Sequence, residues 1–308
     1  MKVAIATDDN AHFPDEETKR SGLFVVPMPI IVDGQERYEG PDFNQDQFFA
    51  LQTSGHDMHT SQPTPGNVMG IWDRALAEAD QVLYVPMSSG LTQAVNTAKM
   101  LAADDKYVGK VFVVDNHRIS VTLRDSIYDA LALAKAGQDA KGIQDYLEKT
   151  SHESKIYIMV DTLKYLVKGG RVTPSGAALG GLLHIKPILK IEGGKLDAKA
   201  KAVGTKMAEH MMINFIAEDV ANFFKGIKDH LSFGMAYTAD RAKALDFRNQ
   251  FAQSLGIDPT SILADPLSLS IAVHIGPGAL AVTVSRVVDE TLIKEAERRQ
   301  LEEDNKKA

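Results

Sequence analysis

Short apolar strand patterns alternate with amphipathic helix patterns along the first half of the chain, and this alternation restricts the possible folds more than any other feature. The strand patterns lie at residues 3–7, 24–32, 81–87 and 111–115, and the helix patterns lie at residues 46–54, 67–78, 93–103, 122–136 and 140–151. Because each helix returns the chain to the same edge of a sheet, strands that alternate with helices run parallel. The sequence therefore predicts an α/β fold with a mostly parallel sheet flanked by helices.

A polar stretch at residues 149–154 separates this alternation from a second group of elements. That group has strand patterns at residues 155–160, 185–191, 194–201, 231–237 and 279–284 and helix patterns at residues 162–168, 205–224 and 239–255. A chain of 308 residues is long enough for two hydrophobic cores. We expect an N-terminal α/β domain at 1–152, a C-terminal α/β domain at 153–290, and a charged helix or tail at 291–308.

The composition excludes several classes of protein. The net charge of −7 argues against a nucleic-acid-binding face, which is normally basic. The chain contains no cysteine, so disulfide bonds and thiolate catalysis are excluded. The sequence has no apolar run long enough to span a membrane, and residues 1–8 lack the pattern of a signal peptide. These features predict a cytoplasmic protein with no nucleic-acid partner and no membrane span.

Two hydroxyl-rich loops precede predicted helices. Thr60 and Ser61 stand before a proline-rich turn, and Ser88 and Ser89 directly follow the buried strand pattern at 81–87. Hydroxyls and free N–H groups before a helix can hold an anion, and the carboxyl end of a parallel strand is a usual place for a ligand. The same residues can also serve only as helix caps, so the pattern by itself leaves both interpretations open.

A third segment contains a histidine close to two glycines. His274 precedes Gly276 and Gly278 along the chain. Glycine permits a close approach of the backbone, and histidine offers a donor whose charge changes near neutral pH. A histidine beside a glycine turn can equally have a purely structural role.

These residues belong to five ordered segments that, taken together, are more specific than any one of them. The segments are Thr60–Gly66, Ser88–Thr92, Asp161–Val172, Leu182–Leu189 and His274–Ala279. In their order and residues they resemble the DegV family, the bacterial fatty-acid-binding proteins, over roughly residues 1–288. The chain departs from the family at Thr92–Asn96, where Ser-Gly-Thr-Tyr-Gln is usual, and this leaves the preferred ligand open.

The resemblance implies a lipid-binding protein of phospholipid metabolism whose ligand is a long-chain fatty acid. We expect an apolar slot between the two domains for the tail, because removal of each CH₂ from water is worth about 0.8 kcal/mol. A tail of about 16 carbons then contributes on the order of 10 kcal/mol before ordering costs. A buried carboxylate needs hydrogen-bond donors. The expected donors are Thr60, Ser61, Ser88, Ser89 and His274.

The resemblance also implies delivery of the bound acid. Such proteins present the carboxyl group to a separate ATP-dependent fatty-acid kinase, which forms acyl phosphate. The chain shows no nucleotide, metal or hydrolase motif, so we expect a carrier without catalytic residues, metal or cofactor other than its bound fatty acid. Arg171 matches a family arginine implicated in the kinase interaction. Because it follows two glycines, we expect its side chain to project outward from an exposed turn, away from the lipid slot.

Two other classes of function stay open. Ser89 or Thr60 can act as a nucleophile with His274 as the base, which would make the protein an acyl hydrolase. The slot can also hold a different acidic amphiphile, such as a polyprenoid acid or a sterol-like acid. An intact bound ligand distinguishes a carrier from a hydrolase, and the mass of that ligand distinguishes the amphiphiles.

Overall fold

The computed structural model describes residues 1–180 and 184–307, and within them the chain forms three β-sheets surrounded by helices. In chain order, the strands are β1 (Val3–Asp8), β2 (Phe24–Val26), β3 (Ile30–Val32), β4 (Gln35–Arg37), β5 (Met58–Thr60), β6 (Gln81–Val85), β7 (Val111–Val113), β8 (Ser154–Met159), β9 (Ile185–Ile191), β10 (Asp197–Val203), β11 (Leu231–Tyr237), β12 (Leu263–Pro266) and β13 (Leu280–Arg286). The α-helices are α1 (Asp15–Ser21), α2 (Gln45–Ser54), α3 (Pro65–Leu76), α4 (Ala94–Ala102), α5 (Ser120–Lys135), α6 (Ala140–Lys149), α7 (Lys164–Gly169), α8 (Pro174–Ala177), α9 (Thr205–Asn222), α10 (Arg241–Leu255), α11 (Leu269–Ile275) and α12 (Glu290–Lys307).

The first sheet is parallel throughout and has the strand order β2–β1–β6–β7. Every residue of β6 is buried, as expected for a strand that helices cover on both faces. Ala4 and Ala6 of β1 pack with residues of α3 and α4, whereas Ile5 packs with residues of α5 and α6 on the opposite face. This arrangement confirms the predicted α/β fold with a parallel sheet flanked by helices.

The second sheet is mixed and has the strand order β10–β9–β8–β13–β11–β12. Its neighbouring strands are antiparallel, except that β11 and β12 run parallel. On one face, α9 and α10 form an apolar cluster that includes Met212 and Phe247. On the other face, Leu91, Ile119 and Val121 from the first half of the chain join the apolar layer. The two halves of the chain therefore meet across this inner face of the second sheet.

The predicted single strand at 24–32 is wrong, because the segment forms two strands in different sheets. Pro27 and Pro29 interrupt it, since proline has no N–H group to donate to a neighbouring strand. β2 pairs with β1, whereas β3 pairs with β4 and β5 in a small antiparallel sheet. The sequence patterns also missed β4, β5 and β12, which are each too short to show a clear alternation.

A helix that the sequence patterns missed, α11, contains His274 and ends at Gly276, whose φ is 80°. Its residues Leu269, Ala272 and Val273 pack in one apolar cluster with the small sheet and α2. The histidine is therefore held on a packed helix, whereas the sequence placed it only beside a glycine turn.

Polar side chains from the first half of the chain also hold α11. Glu39 Oε2 accepts the N–H of Leu269 at 2.7 Å, at the start of the helix. Asn10 Oδ1 accepts a hydrogen bond from the Ser270 hydroxyl at 2.8 Å. The amide of Gln52 donates to two carbonyls near the end of the helix at 3.0 and 3.1 Å. The position of α11 is thus set by residues that are more than 200 positions away in the sequence.

The C-terminal segment forms α12, and Leu292 packs with the apolar residues of α5 and α6 in the first half of the chain. Among residues 1–180 and 184–307, no helix combines the length and the apolar character that a membrane span requires. The domain bounds at 152/153 and 290/291 and the cytoplasmic location stay predictions. Leu182 and Leu183, which open one of the five motif segments, and Ala308 lie outside the described residues.

Asp8 joins the two loops that follow β1 and β6. Its Oδ1 accepts the N–H of Asn10 at 3.1 Å, and its Oδ2 accepts the N–H of Met87 at 2.9 Å. The side chain is fully buried, and this burial raises the pKa of Asp8 from 3.8 to about 6. Asp8 therefore holds both loops together at the carboxyl edge of the parallel sheet.

We predict that Asp8→Asn changes how stability depends on pH. The folded protein binds the Asp8 proton more tightly than the unfolded chain does. Its stabilising contribution is therefore fully present below about pH 4 and is lost as the pH rises through about 6. The free energy of unfolding of the wild type, relative to Asp8→Asn, is expected to fall by on the order of 2 kcal/mol over that range. Urea unfolding at both pH values measures this difference, and a difference that is independent of pH would contradict the prediction.

Candidate functional site

An apolar cavity lies between the six-stranded sheet and the loops of the first half of the chain. The empty space between its lining atoms, together with the open solvent at its mouth, is about 870 Å³. Strands β8, β11 and β13 contribute residues to one side, and α7 and α11 contribute residues to the other. Its apolar lining includes Met28, Leu91, Ile156, Ile158, Leu166, Leu267, Ile271 and Ala281. A mostly apolar cavity with a few polar side chains in its wall is typical of a binding site for a small organic molecule.

Thr60, His274 and Arg171 all line this cavity, although they come from three distant segments of the chain. Thr60 ends β5, and its Oγ1 lies 2.8 Å from Nε2 of His274 on α11. Burial lowers the pKa of His274 from 6.5 to about 4, and the charge of Arg171 contributes to the shift. His274 is therefore neutral at pH 7, and the positive charge at this site belongs to Arg171.

The loops at the carboxyl ends of β1 and β6 supply further polar lining. Asn10 follows β1 and Thr92 follows β6, and both line the cavity, as does the exposed Ser61. β1 and β6 are adjacent strands. After β1 the chain continues to β2 on one side of this pair, and after β6 it continues to β7 on the other side. The loops after β1 and β6 therefore separate and leave a crevice where ligands commonly bind. Thr92 was not among the predicted residues. The signal that could have identified it is its place at the end of the Ser88–Thr92 segment, just before α4.

Ser88 and Ser89 make hydrogen bonds with distant parts of the chain. Ser88 is fully buried, and its hydroxyl donates to the carbonyl of Gly193 while it accepts the N–H of Gly90 at 3.1 Å. Ser89 is half-buried, and its N–H donates to Asp115 Oδ1 at 3.2 Å. Within the described parts of the chain, the lining of the cavity includes neither serine. The expectation that Ser88 and Ser89 bind the carboxylate stays a prediction, and Ser88 joins the loop after β6 to the turn between β9 and β10.

The expectation that Arg171 projects away from the slot is wrong, because Arg171 lines the cavity. Gly170, with φ of 66°, ends α7 and turns the chain back, so that the N–H of Arg171 donates to the Leu166 carbonyl at 3.1 Å. The Arg171 carbonyl accepts the N–H of Leu196 at 2.9 Å, and its Nη1 donates to the Gly169 carbonyl at 2.5 Å. These bonds hold the guanidinium half-buried at the cavity.

Three glycines allow the segments Asp161–Val172 and His274–Ala279 to pack closely against each other. A Cβ at Gly169 would lie 2.1 Å from His274 Nδ1, and a Cβ at Gly276 would lie 2.3 Å from the ring of Tyr165. A Cβ at Gly278 would lie 2.5 Å from Asp161 Oδ2. The segments around Asp161–Val172 and His274–Ala279 are therefore packed against each other, and this contact places Arg171 and His274 at one site.

Comparison with known proteins identifies the family. The family model described as "Uncharacterised protein, DegV family" matches residues 2–287 of the chain. The chain belongs to the DegV family. A DegV domain-containing protein of Deinococcus radiodurans is 30% identical over 285 residues, which cover 92% of this chain and 98% of that protein. Another, from Caldanaerobacter subterraneus, is 26% identical over 283 residues, which cover 91% of this chain and 98% of that protein.

Solved structures of DegV family proteins have the same fold. A fatty-acid-binding DegV family protein of Thermus thermophilus superposes with a TM-score of 0.83 at 26% identity, and covers 93% of this chain and 100% of its own. A stearic-acid-binding protein of Eubacterium ventriosum superposes with a TM-score of 0.82 at 19% identity, over 92% of this chain and 98% of its own, which shows the fold alone. Fatty-acid binding is thus stated for a DegV family protein that is similar to this chain in sequence and in fold.

We predict that Gly169→Ala displaces the imidazole of His274 in this DegV family protein, because the new Cβ would overlap its Nδ1. A ring moved toward solvent loses less hydration, so the pKa of His274 is expected to rise from about 4 toward 6.5. Histidine NMR titration measures this shift. Gly70→Ala on α3 is the control, because its Cβ would meet nothing within 4 Å. A pKa of about 4 in the Gly169→Ala variant would refute the packing role of Gly169.

Proposed function

We propose that this protein binds a long-chain fatty acid in the apolar cavity and holds the carboxylate at Thr60, Ser61, His274 and Arg171. The observation that best supports this proposal is that these polar side chains line one mostly apolar cavity, in which Thr60 and His274 are in contact. A fatty acid has the same division into one charged end and a long apolar tail. The proposal also agrees with the fatty-acid binding of the Thermus thermophilus relative.

Each polar residue has a separate part in holding the carboxylate. Arg171 supplies the positive charge and can donate two parallel hydrogen bonds to the two carboxylate oxygens. The hydroxyls of Thr60 and Ser61 can each donate one bond. For the Thr60 proton to point to the carboxylate, the neutral His274 donates its Nε2–H to Thr60 Oγ1 across their 2.8 Å contact. The apolar tail then dominates the affinity, whereas these donors set the direction in which the acid lies.

We further propose that the bound acid is presented to a separate fatty-acid kinase. His274 borders the cavity and also an outer recess, whose lining includes Met58, His59, Lys164 and Lys168. A carboxylate beside His274 is thus close to a surface recess that a partner can reach. Lys168 lies in that recess, where its ammonium group pairs with Asp57 at 2.6 Å. Formation of acyl phosphate from lipid-loaded protein, purified kinase and ATP tests this delivery.

Acyl hydrolysis is the second candidate, and the contact between Thr60 and His274 is the observation that favours it. A nucleophile and a base at hydrogen-bond distance are the minimum for such an enzyme. Its weakness is the pKa of His274, because a base with a pKa of about 4 accepts a proton poorly at neutral pH. The same pair serves well as a neutral hydrogen-bonding unit, and we therefore favour a carrier.

We predict that the purified wild-type protein retains stoichiometric fatty acid and that Thr60→Val reduces this retention. Valine keeps the shape of threonine but leaves the carboxylate short of one donor, which weakens affinity by about 1–3 kcal/mol. Thr53→Val is the matched control, because it makes the same change at an exposed residue of α2 that is outside the lining of the cavity in the described residues. Denaturing extraction with mass spectrometry measures the lipid, and calorimetry with palmitate measures the affinity.

The same experiment separates the competing functions. If the bound acid has a mass other than that of a fatty acid, the ligand is a different amphiphile. If the protein hydrolyses acyl esters and Thr60→Val abolishes this activity, the protein is a hydrolase and not a carrier. No retained lipid together with no binding of added palmitate or oleate would defeat the proposal.

We predict that Arg171→Gln weakens the binding of palmitate much more than the binding of hexadecanol, the uncharged alcohol with the same tail. Glutamine keeps a donor but removes the charge that faces the carboxylate. Arg171→Lys is expected to recover only part of the affinity, because lysine lacks the forked geometry. Calorimetry with both ligands measures the ratio. Equal losses for acid and alcohol would mean that Arg171 acts on the tail or on folding, and unchanged palmitate binding would return Arg171 to a partner-binding role.

A further inference from the structure

The C-terminal helix α12 lies beyond the part of the chain that the family model matches, and its contact with the rest of the protein is narrow. That match ends at residue 287, shortly before α12 begins at Glu290. Leu292 packs with apolar residues of α5 and α6, and Ala296 is buried. Most residues of α12 are charged, and a recess lined by Leu133 and Ala296 remains between α12 and the two helices beneath it.

A buried carboxyl group holds the segment that leads into α12. Asp129 of α5 is buried, and its Oδ1 accepts the N–H of Val288 at 2.9 Å. Val288 also packs with the apolar residues of α5 and α6. This hydrogen bond and this packing fix the chain directly before α12. The docking of the C-terminal arm, residues 288–307, therefore depends in part on the state of Asp129.

The buried charges around Asp129 do not balance. Asp125 lies one turn earlier on α5 and is also buried. The buried Arg118, in the loop before α5, faces both carboxyl groups, and its guanidinium donates to the carbonyl of Arg286 at 3.3 Å. The side chain of Arg286 is itself paired with Glu153 at 2.8 Å. One unpaired arginine thus faces two buried carboxyl groups, which leaves an excess negative charge when both are ionised.

These surroundings favour the neutral form of Asp129. Burial raises its pKa from 3.8 to about 7, and the nearby Asp125 adds to the shift, although the charge of Arg118 opposes it. When the arm leaves α5, Asp129 meets water and its pKa returns toward 3.8. The docked form therefore binds the Asp129 proton more tightly than the released form does.

Three further titratable groups lie on the elements around this cluster. Tyr146 of α6 faces Asp129, and burial raises the pKa of its phenol further above the usual value, so Tyr146 stays neutral. Asp289 of the arm faces Tyr146 and His230. His230 is the other residue here whose type changes charge near neutral pH.

We propose that the C-terminal arm is a pH-controlled device, docked on α5 and α6 in slightly acidic solution and released as the pH rises above neutral. Release relieves the excess negative charge, because it moves the ionised Asp129 from beside Asp125 into water. Since the docked form has the higher pKa, the stabilising effect of this proton on docking is fully present below about pH 4 and is lost as the pH rises through about 7. This inference does not rest on the proposed fatty-acid binding.

Hydrogen–deuterium exchange of the full-length wild-type protein at pH 6 and pH 8 tests the release. Protection factors correct for the intrinsic pH dependence of exchange and report the opening equilibrium of each segment. A carboxyl group with a pKa of about 7 in the docked form changes that equilibrium roughly tenfold between these pH values. We therefore expect the protection of residues 288–299 to fall roughly tenfold from pH 6 to pH 8. At both pH values these residues should exchange faster than β6, as a local opening requires.

Asp129→Asn is expected to remove this pH dependence, because asparagine keeps an oxygen that can accept the Val288 N–H but has no titrating proton. Asp145→Asn is the matched control, since it makes the same change at an exposed residue of α6 and should keep the wild-type response. A tenfold fall that persists in Asp129→Asn would assign the response to another group, such as His230, and would overturn the inference.

Two results for the wild type alone would also overturn the inference, so the test does not depend on a variant that folds. The first is equal protection of residues 288–299 at pH 6 and pH 8. The second is exchange of these residues only as slowly as that of β6, because the arm would then open only when the whole protein unfolds.

Discussion

A buried carboxylate at the edge of the parallel sheet is the interaction on which the cavity depends. Asp8 accepts backbone N–H groups from the loop after β1 and from the loop after β6, so the two loops keep one relative position. Asn10 in the first loop then accepts the hydroxyl of Ser270 on α11. Because a carboxylate in a buried place is costly unless such donors surround it, this arrangement has few alternatives of similar energy. These hydrogen bonds of Asp8 and Asn10 help to fix the positions of the lining loops and of the histidine on α11.

Close contact at glycines complements this polar arrangement on the opposite side of the cavity. Gly169, Gly276 and Gly278 let the segment around α7 approach the end of α11 more closely than any side chain would allow. As a result, Arg171 and His274, which are more than 100 residues apart in the sequence, lie at one site with the guanidinium lowering the pKa of the imidazole. Under the proposed function, a permanently charged arginine and a histidine that stays neutral down to about pH 4 keep the charge of the carboxylate site constant across physiological pH.

The sequence predicted the parallel sheet, most helices and the region of the site, because these follow from local patterns. A strand buried on both faces shows a continuous apolar run, and an amphipathic helix shows its period within three turns. The errors have equally local explanations. Pro27 and Pro29 divide a segment that looks like one long strand, and α11 is too short and too uniformly buried to show a period. The local patterns also singled out Thr60, Ser61 and His274, which all line the cavity.

The sequence by itself thus determined the class of fold, the order of the elements and the residues from which a polar site can be built. Only the tertiary structure decided which of these residues face the cavity. Ser88 and Thr92 belong to the same loop, yet the hydroxyl of Ser88 bonds to Gly193 in the second half of the chain, whereas Thr92 lines the cavity. Arg171 likewise turns inward through its bonds to neighbours that include Leu196. The orientation of a side chain in a loop depends on contacts with distant residues, and no local pattern contains those contacts.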